Sequence, residues 1–115
     1  MKIPERAIQG QILQYLHYRG VKAYRINAGM IPTGEKRSRR MIRLAPKGFS
    51  DIMGVMPGGR AIFVECKAKG GKLTQFQEMF LDEMRQQGAV AFVATGIEDC
   101  EQQLSIQTKG GINGN

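Results

Sequence analysis

Apolar positions at Ile8, Ile12, Leu13 and Leu16 recur at helical spacing, and this predicts a helix from Pro4 to Arg19. Pro4 suits a first turn, where a missing N–H costs nothing, and Gly20 supplies a stop. From Val21 to Asn27 the period changes to two: Val21, Ala23 and Arg25 alternate with Lys22, Tyr24 and Ile26, as in a strand. The following stretch, AGMIPTGEKRSRRMIRLAPKG, carries Gly, Pro and Thr breakers and reads as a long loop. Asp51 to Met56 and Ala61 to Ala68 read as two strands joined through Pro57, Gly58, Gly59 and Arg60, a hairpin signal. Leu73 to Gln87 reads as a helix with Phe76, Met79, Phe80 and Met84 as its apolar stripe. Thr74 and Gln77 have the spacing of a capping box, and Gly88 ends the helix. Ala89 to Thr95 is apolar without alternation, as expected of a strand buried on both faces. A last helix is expected from Gly96 to Ile106 with Ile97, Cys100, Leu104 and Ile106 inward. The tail, 107–115, is expected to be disordered.

The order is helix, three strands, helix, strand, helix, an α/β arrangement. The strands at 61–68 and 89–95 enclose a helix, and such a crossover makes them parallel and right-handed. The sheet is therefore mixed, an antiparallel meander plus one parallel strand. There is no internal repeat, and 115 residues suit one domain, placed at 1–106.

Composition narrows the class. Hydrophobic residues make up 42% of the chain, yet no apolar run approaches a membrane span. The first residues, MKIPERAIQG, lack the apolar core of a signal peptide, so a cytoplasmic protein with reduced thiols is expected. Cys66 and Cys100 have no metal-ligand spacing, and His17 is the one histidine, which excludes a Cys/His zinc site. GGKLT places Leu73 where a phosphate-binding loop needs Ser or Thr, so no nucleotide cofactor is expected. Charge changes the picture most. The net is +7, and Lys36, Arg37, Arg39, Arg40, Arg43 and Lys47 cluster in one stretch offset only by Glu35. A solvated face would explain such a run, but in so cationic a chain contact with nucleic-acid phosphates explains it better.

The strand at 61–68 breaks its own apolar pattern. Alternation puts Phe63, Glu65 and Lys67 on one face and Ile62, Val64 and Cys66 on the other. The hairpin decides where Asp51 goes. A three-residue loop at 57–59 sets Asp51 opposite Glu65, and one at 58–60 sets it opposite Lys67. A two-residue loop at 58–59 sets it opposite Cys66 and turns it away. With either three-residue loop, two carboxylates and an ammonium meet on one face. A salt-bridge triad there would cost several kcal/mol per ion if buried. A hard cation such as Mg²⁺, which prefers oxygen donors, gives the carboxylates a purpose, and Lys67 can then stabilise charge developing on a phosphate. Glu5 would join them if the first helix packs over the same face.

Asp51 followed by Glu65-Cys66-Lys67 resembles the PD-(D/E)xK nuclease motif, and the element order resembles the α-β-β-β-α-β restriction-endonuclease-like core. More narrowly, the chain resembles a virus-type replication-repair nuclease (VRR-NUC) domain of the stand-alone phage or prophage type. The segments that carry the resemblance are ERAIQ, RINAG, KGFSDIMGVMPGGR, FVECKAKGGKLTQFQ and GAVAFVAT. Ser50 stands where many members have proline. The resemblance implies Asp51 and Glu65 as metal ligands, the Cys66 backbone carbonyl as a further ligand and Lys67 as the catalytic lysine. It also implies Glu5 as the acid of the first helix, with a possible second metal, and Gln77 as a site glutamine. The expected function is Mg²⁺- or Mn²⁺-dependent hydrolysis of DNA phosphodiesters, with resolution of four-way junctions in DNA repair by a homodimer. The rivals are a flap or nonspecific nuclease, a catalytically silent nucleic-acid-binding module, and a basic interaction domain with an edge triad. No membrane partner is expected.

Overall fold

The protein is described by a computed structural model covering residues 2–26 and 45–108 in full, and the backbone alone at 30–33 and 40–43. The elements run α1 (Glu5–Tyr18), β1 (Lys22–Arg25), β2 (Met30–Thr33), β3 (Arg40–Arg43), β4 (Ile52–Val55), β5 (Ala61–Cys66), α2 (Gln75–Gln86), β6 (Val90–Ala94) and α3 (Ile97–Thr108). The main sheet has the order β1-β4-β5-β6. Its first three strands form an antiparallel meander, and β6 lies parallel to β5 across the α2 crossover. This is a restriction-endonuclease-like α/β fold with a mixed sheet between helices.

Two cores, one on each face, follow from the alternation. On one face Ile8, Ile12 and Leu16 of α1 and Cys100 and Leu104 of α3 meet Ile62, Val64 and Cys66 of β5. On the other, Phe80 and Leu81 of α2 meet Phe63, Ala89 and Ala91. As its unbroken apolar run requires, β6 is buried at Val90, Ala91, Phe92 and Ala94. Among the described residues, no helix is long and apolar enough to cross a membrane.

The structure corrects several expectations. The stretch read as a loop contains an antiparallel hairpin, β2–β3, as its own two-stranded sheet. Pro32 argued against a strand, but in a two-stranded sheet both strands are edges, where a missing N–H is tolerated. At the C-terminal end, α3 runs to Thr108, which is buried, so the helix passes the expected boundary at Ile106. The rest of the tail, and Lys36, Arg37 and Arg39 of the basic cluster, lie outside the described residues. Two expected stripes are only partly inward: Phe76, Met79, Ile97 and Ile106 are exposed. Finally, α1 packs on the Cys66 face and not on the face of Glu65.

Candidate active site

The register that decides the site is set by a turn. Met56 N–H donates to the Arg60 carbonyl at 2.8 Å, and Gly59 N–H donates to the Met56 carbonyl at 2.8 Å. Gly58 and Gly59 sit at φ 94° and 101°, a region that side chains strain to enter. The loop is therefore 57–59, and it pairs Ile52 with Val64. One residue further along, Asp51 stands opposite Glu65. β4 stops just short of that pair, and the Asp51 side chain takes over the ladder: its Oδ2 accepts the Cys66 N–H at 2.9 Å. The N–H and C=O of one residue point to the same edge of an extended strand. The Cys66 carbonyl therefore faces the Asp51 side, where β4 no longer runs.

Glu65 is 3% exposed. Its Oε2 accepts a hydrogen bond from Gln77 Nε2 at 3.0 Å and lies 3.7 Å from Lys67 Nζ. Its Oε1 is buried and has no hydrogen-bond partner among the described residues. Burial first, and then the nearby Asp51 carboxylate, raise the Glu65 pKa to about 8 against the opposing pull of Lys67. Burial also pushes the Cys66 thiol up, so it is a neutral core residue.

Gln77 serves two roles with one amide. Its Oε1 accepts the Thr74 N–H at 2.9 Å while its backbone N–H donates to Thr74 Oγ1 at 3.2 Å, a complete capping box. That leaves Nε2 aimed at Glu65. The helix cap thus fixes this amide, so Gln77 both closes the capping box and stands beside Glu65.

The segment before Asp51 is held against the same helix. Lys47 Nζ sits 4.2 Å from the centroid of the Phe76 ring. Phe49 packs on Phe80 and Phe63, with centroids 4.6 Å and 6.0 Å away. Buried Ser50 donates to the Ile52 carbonyl at 2.8 Å. Sequence reasoning missed Gly48, at φ 89°, where the chain crosses the backbone of Phe76 and Gln77 so closely that no Cβ fits. A lone glycine near a basic run gives no signal of such a crossing.

Glu5 makes no hydrogen bond or ion pair with this group among the described residues. It is exposed in the first turn of α1, on the opposite side of the sheet, and acts electrostatically on the Cys66 thiol. His17 is exposed, with Nε2 2.7 Å from the Ala23 carbonyl. Of the basic cluster, Arg40 and Arg43 lie at the two ends of β3.

The donor set fits a hard cation. Two carboxylates face each other, one of them 3.7 Å from the Lys67 ammonium, and a buried oxygen of Glu65 lacks a donor among the described residues. No group of three His, Cys, Asp or Glu side chains gathers among the described residues, so no all-protein cage forms. Two carboxylates and a carbonyl suit an ion that keeps several waters, as Mg²⁺ does.

A mixed sheet in this order, with Asp51 facing Glu65 and Lys67 beside it, defines a PD-(D/E)xK nuclease. The model of the VRR-NUC domain matches residues 4–98, and the chain belongs to the VRR-NUC family. It is accordingly a nuclease domain that acts on DNA, of a type that generally uses divalent metal ions. No curated protein and no solved structure matches the chain significantly.

Proposed function

We propose that the chain is a Mg²⁺- or Mn²⁺-dependent endodeoxyribonuclease whose ion is held by Asp51, Glu65 and the Cys66 carbonyl. The observation that carries this reading is the buried, partnerless Glu65 Oε1 facing a second carboxylate. When bound, a hard divalent cation supplies Lewis-acid activation of the phosphate and of water. The Cys66 N–H holds Asp51 in the ladder, and the Gln77 amide fixes one Glu65 oxygen so that the other stays free. Lys67 contributes a positive charge where the phosphate accumulates negative charge. Purified protein should cut linear, flapped and four-way DNA only when Mg²⁺ or Mn²⁺ is added. Cutting of equal rate in EDTA overturns the metal reading; metal binding without any cutting favours the silent module.

The finer reading is a homodimer that resolves four-way junctions by paired nicks. One chain presents one carboxylate pair, and a two-fold dimer presents two at fixed separation, matching the symmetry of a junction. Light scattering should give twice the chain mass, and a cruciform plasmid should be cut faster than linear duplex. A monomer at micromolar concentration, or equal rates, removes this part of the reading.

The basic cluster is proposed to touch DNA phosphates. Neutralising Arg37, Arg39 and Arg40 together should flatten the slope of log K against log salt by about 0.9 per lost contact. An unchanged slope makes the stretch a solvated face.

A further inference from the structure

A second positively charged feature lies outside the catalytic group and outside the basic cluster. Arg6 and Gln9, one turn apart on α1, and Arg25 and Ile26, at the end of β1, line an open groove of about 480 Å³. The arginines whose side chains are described divide into two kinds. Arg19 donates to Tyr15, Arg60 to the carbonyls of Gly88 and Gln107, and Arg85 to Asp82 and the Ala91 carbonyl. Arg6 and Arg25 have no hydrogen bond or ion pair among the described residues, and both are exposed. Glu5, in the same turn as Arg6, pairs with neither. Two guanidiniums that are unpaired among the described residues, with an amide that can donate beside them, line one groove, a set suited to phosphate oxygens.

The groove's position ties it to the catalytic site. Arg25 is paired with Ile52 across the ladder. Ile26 N–H donates to the Asp51 carbonyl at 2.7 Å. The groove therefore adjoins the backbone of Asp51, at the same end of the sheet as the carboxylates but on the α1 side. A DNA strand with one phosphate at Asp51 and Glu65 would carry its neighbouring phosphate over this end of the sheet towards Arg25.

We infer that the Arg6–Gln9–Arg25 groove is a backbone cradle that seats a phosphate flanking the one being cut. This rests on the nuclease reading, deepens it, and makes Arg6 and Arg25 positioning residues. The test is the double variant Arg6→Ala/Arg25→Ala on the full chain, with DNA binding measured in EDTA across a salt series and cleavage measured with metal. The slope of log K against log salt should fall by about 1.8, the sum of two phosphate contacts at about 0.9 each. KM should rise at least tenfold with kcat at saturating DNA changed less than about twofold, because the carboxylates and Lys67 are untouched. The Tm should stay put, since both side chains are exposed and unpaired. Arg6→Lys/Arg25→Lys should restore the slope. Replacing the flanking phosphate by a neutral methylphosphonate should weaken the parent severalfold and leave the double variant unaffected. An unchanged slope, or a variant that still feels the methylphosphonate as the parent does, overturns the cradle. DNA binding with the predicted slope loss but no cleavage with any metal would support the cradle and sink the nuclease reading, so the two failures are separable.

Discussion

Glu65→Gln should give a folded protein that cuts DNA about 10²–10³-fold more slowly, yet in metal-free buffer at pH 8 melts about 5 °C above the parent. The two effects have one cause. Glu65 is buried beside Asp51, and its pKa is raised from 4.5 to about 8. The folded state therefore holds the Glu65 proton more tightly than the unfolded state. The stabilisation linked to that proton is complete below the unfolded value and is lost as pH rises through about 8. Glutamine resembles the protonated acid. Its amide can still accept from Gln77 and can donate to Asp51, and it has no charge to lose. The melting gap should therefore be small at pH 4 and widen toward pH 8. Mg²⁺ or Mn²⁺ should raise the parental Tm and leave the variant's unchanged, because only the parent offers an ionised pair to bind. Equal Tm values at all pH would mean that Glu65 is charged and satisfied in the folded state without metal, and the ion would lose its structural warrant.

Local chemistry was the part of this protein legible in its sequence. The three-residue loop was among the possibilities that Gly58 and Gly59 opened, and it brings Asp51 to Glu65. The Thr74–Gln77 spacing announced the cap, and the unbroken run Ala89–Thr95 announced a strand covered on both faces. Alternation correctly put Phe63, Glu65 and Lys67 on one face. It is silent about which helix lies over that face, because that depends on contacts distant in the chain. The β5–α2–β6 crossover places α2 over Phe63, so α1, with Glu5 in its first turn, packs on the opposite face of the sheet. The exposure of Phe76 and Met79 has the same origin: helical spacing identifies a stripe, and the width of sheet beneath it decides how much is covered. The hairpin β2–β3 was hidden because Pro32 and the cations around it resemble a loop. Arg6 and Arg25, far apart in sequence, acquire a common meaning only when β1 is laid beside α1.

Gly48→Ala should be nearly as damaging as loss of a catalytic side chain, although residue 48 carries no chemistry. At φ 89° an alanine pays about 1–2 kcal/mol for the left-handed backbone alone. The larger cost is steric. A Cβ at 48 would stand 2.3 Å from the Phe76 carbonyl oxygen, 2.5 Å from its carbon and 3.0 Å from the Gln77 nitrogen. All three are backbone atoms of the first turns of α2, and no side-chain rotamer relieves them. Either the chain from Lys47 to Ser50 lifts off the helix, or the start of α2 retreats. The first movement drags Asp51, and the second drags Gln77 and its grip on Glu65. Both open the carboxylate pair, and a misplacement of about 1 Å at a reacting centre can cost about 10² in rate. Gly88→Ala supplies the control. Its φ is 95°, with nothing within 4 Å of the new Cβ, so it pays the backbone strain without the clash. Gly88→Ala should lose a few degrees of Tm and keep near-parental cleavage. Gly48→Ala should lose more Tm, at least about 10² in cleavage rate, and the thermal shift produced by Mg²⁺ or Mn²⁺. If the two variants cleave alike, the crossing at Gly48 does not set the distance between Asp51 and Glu65.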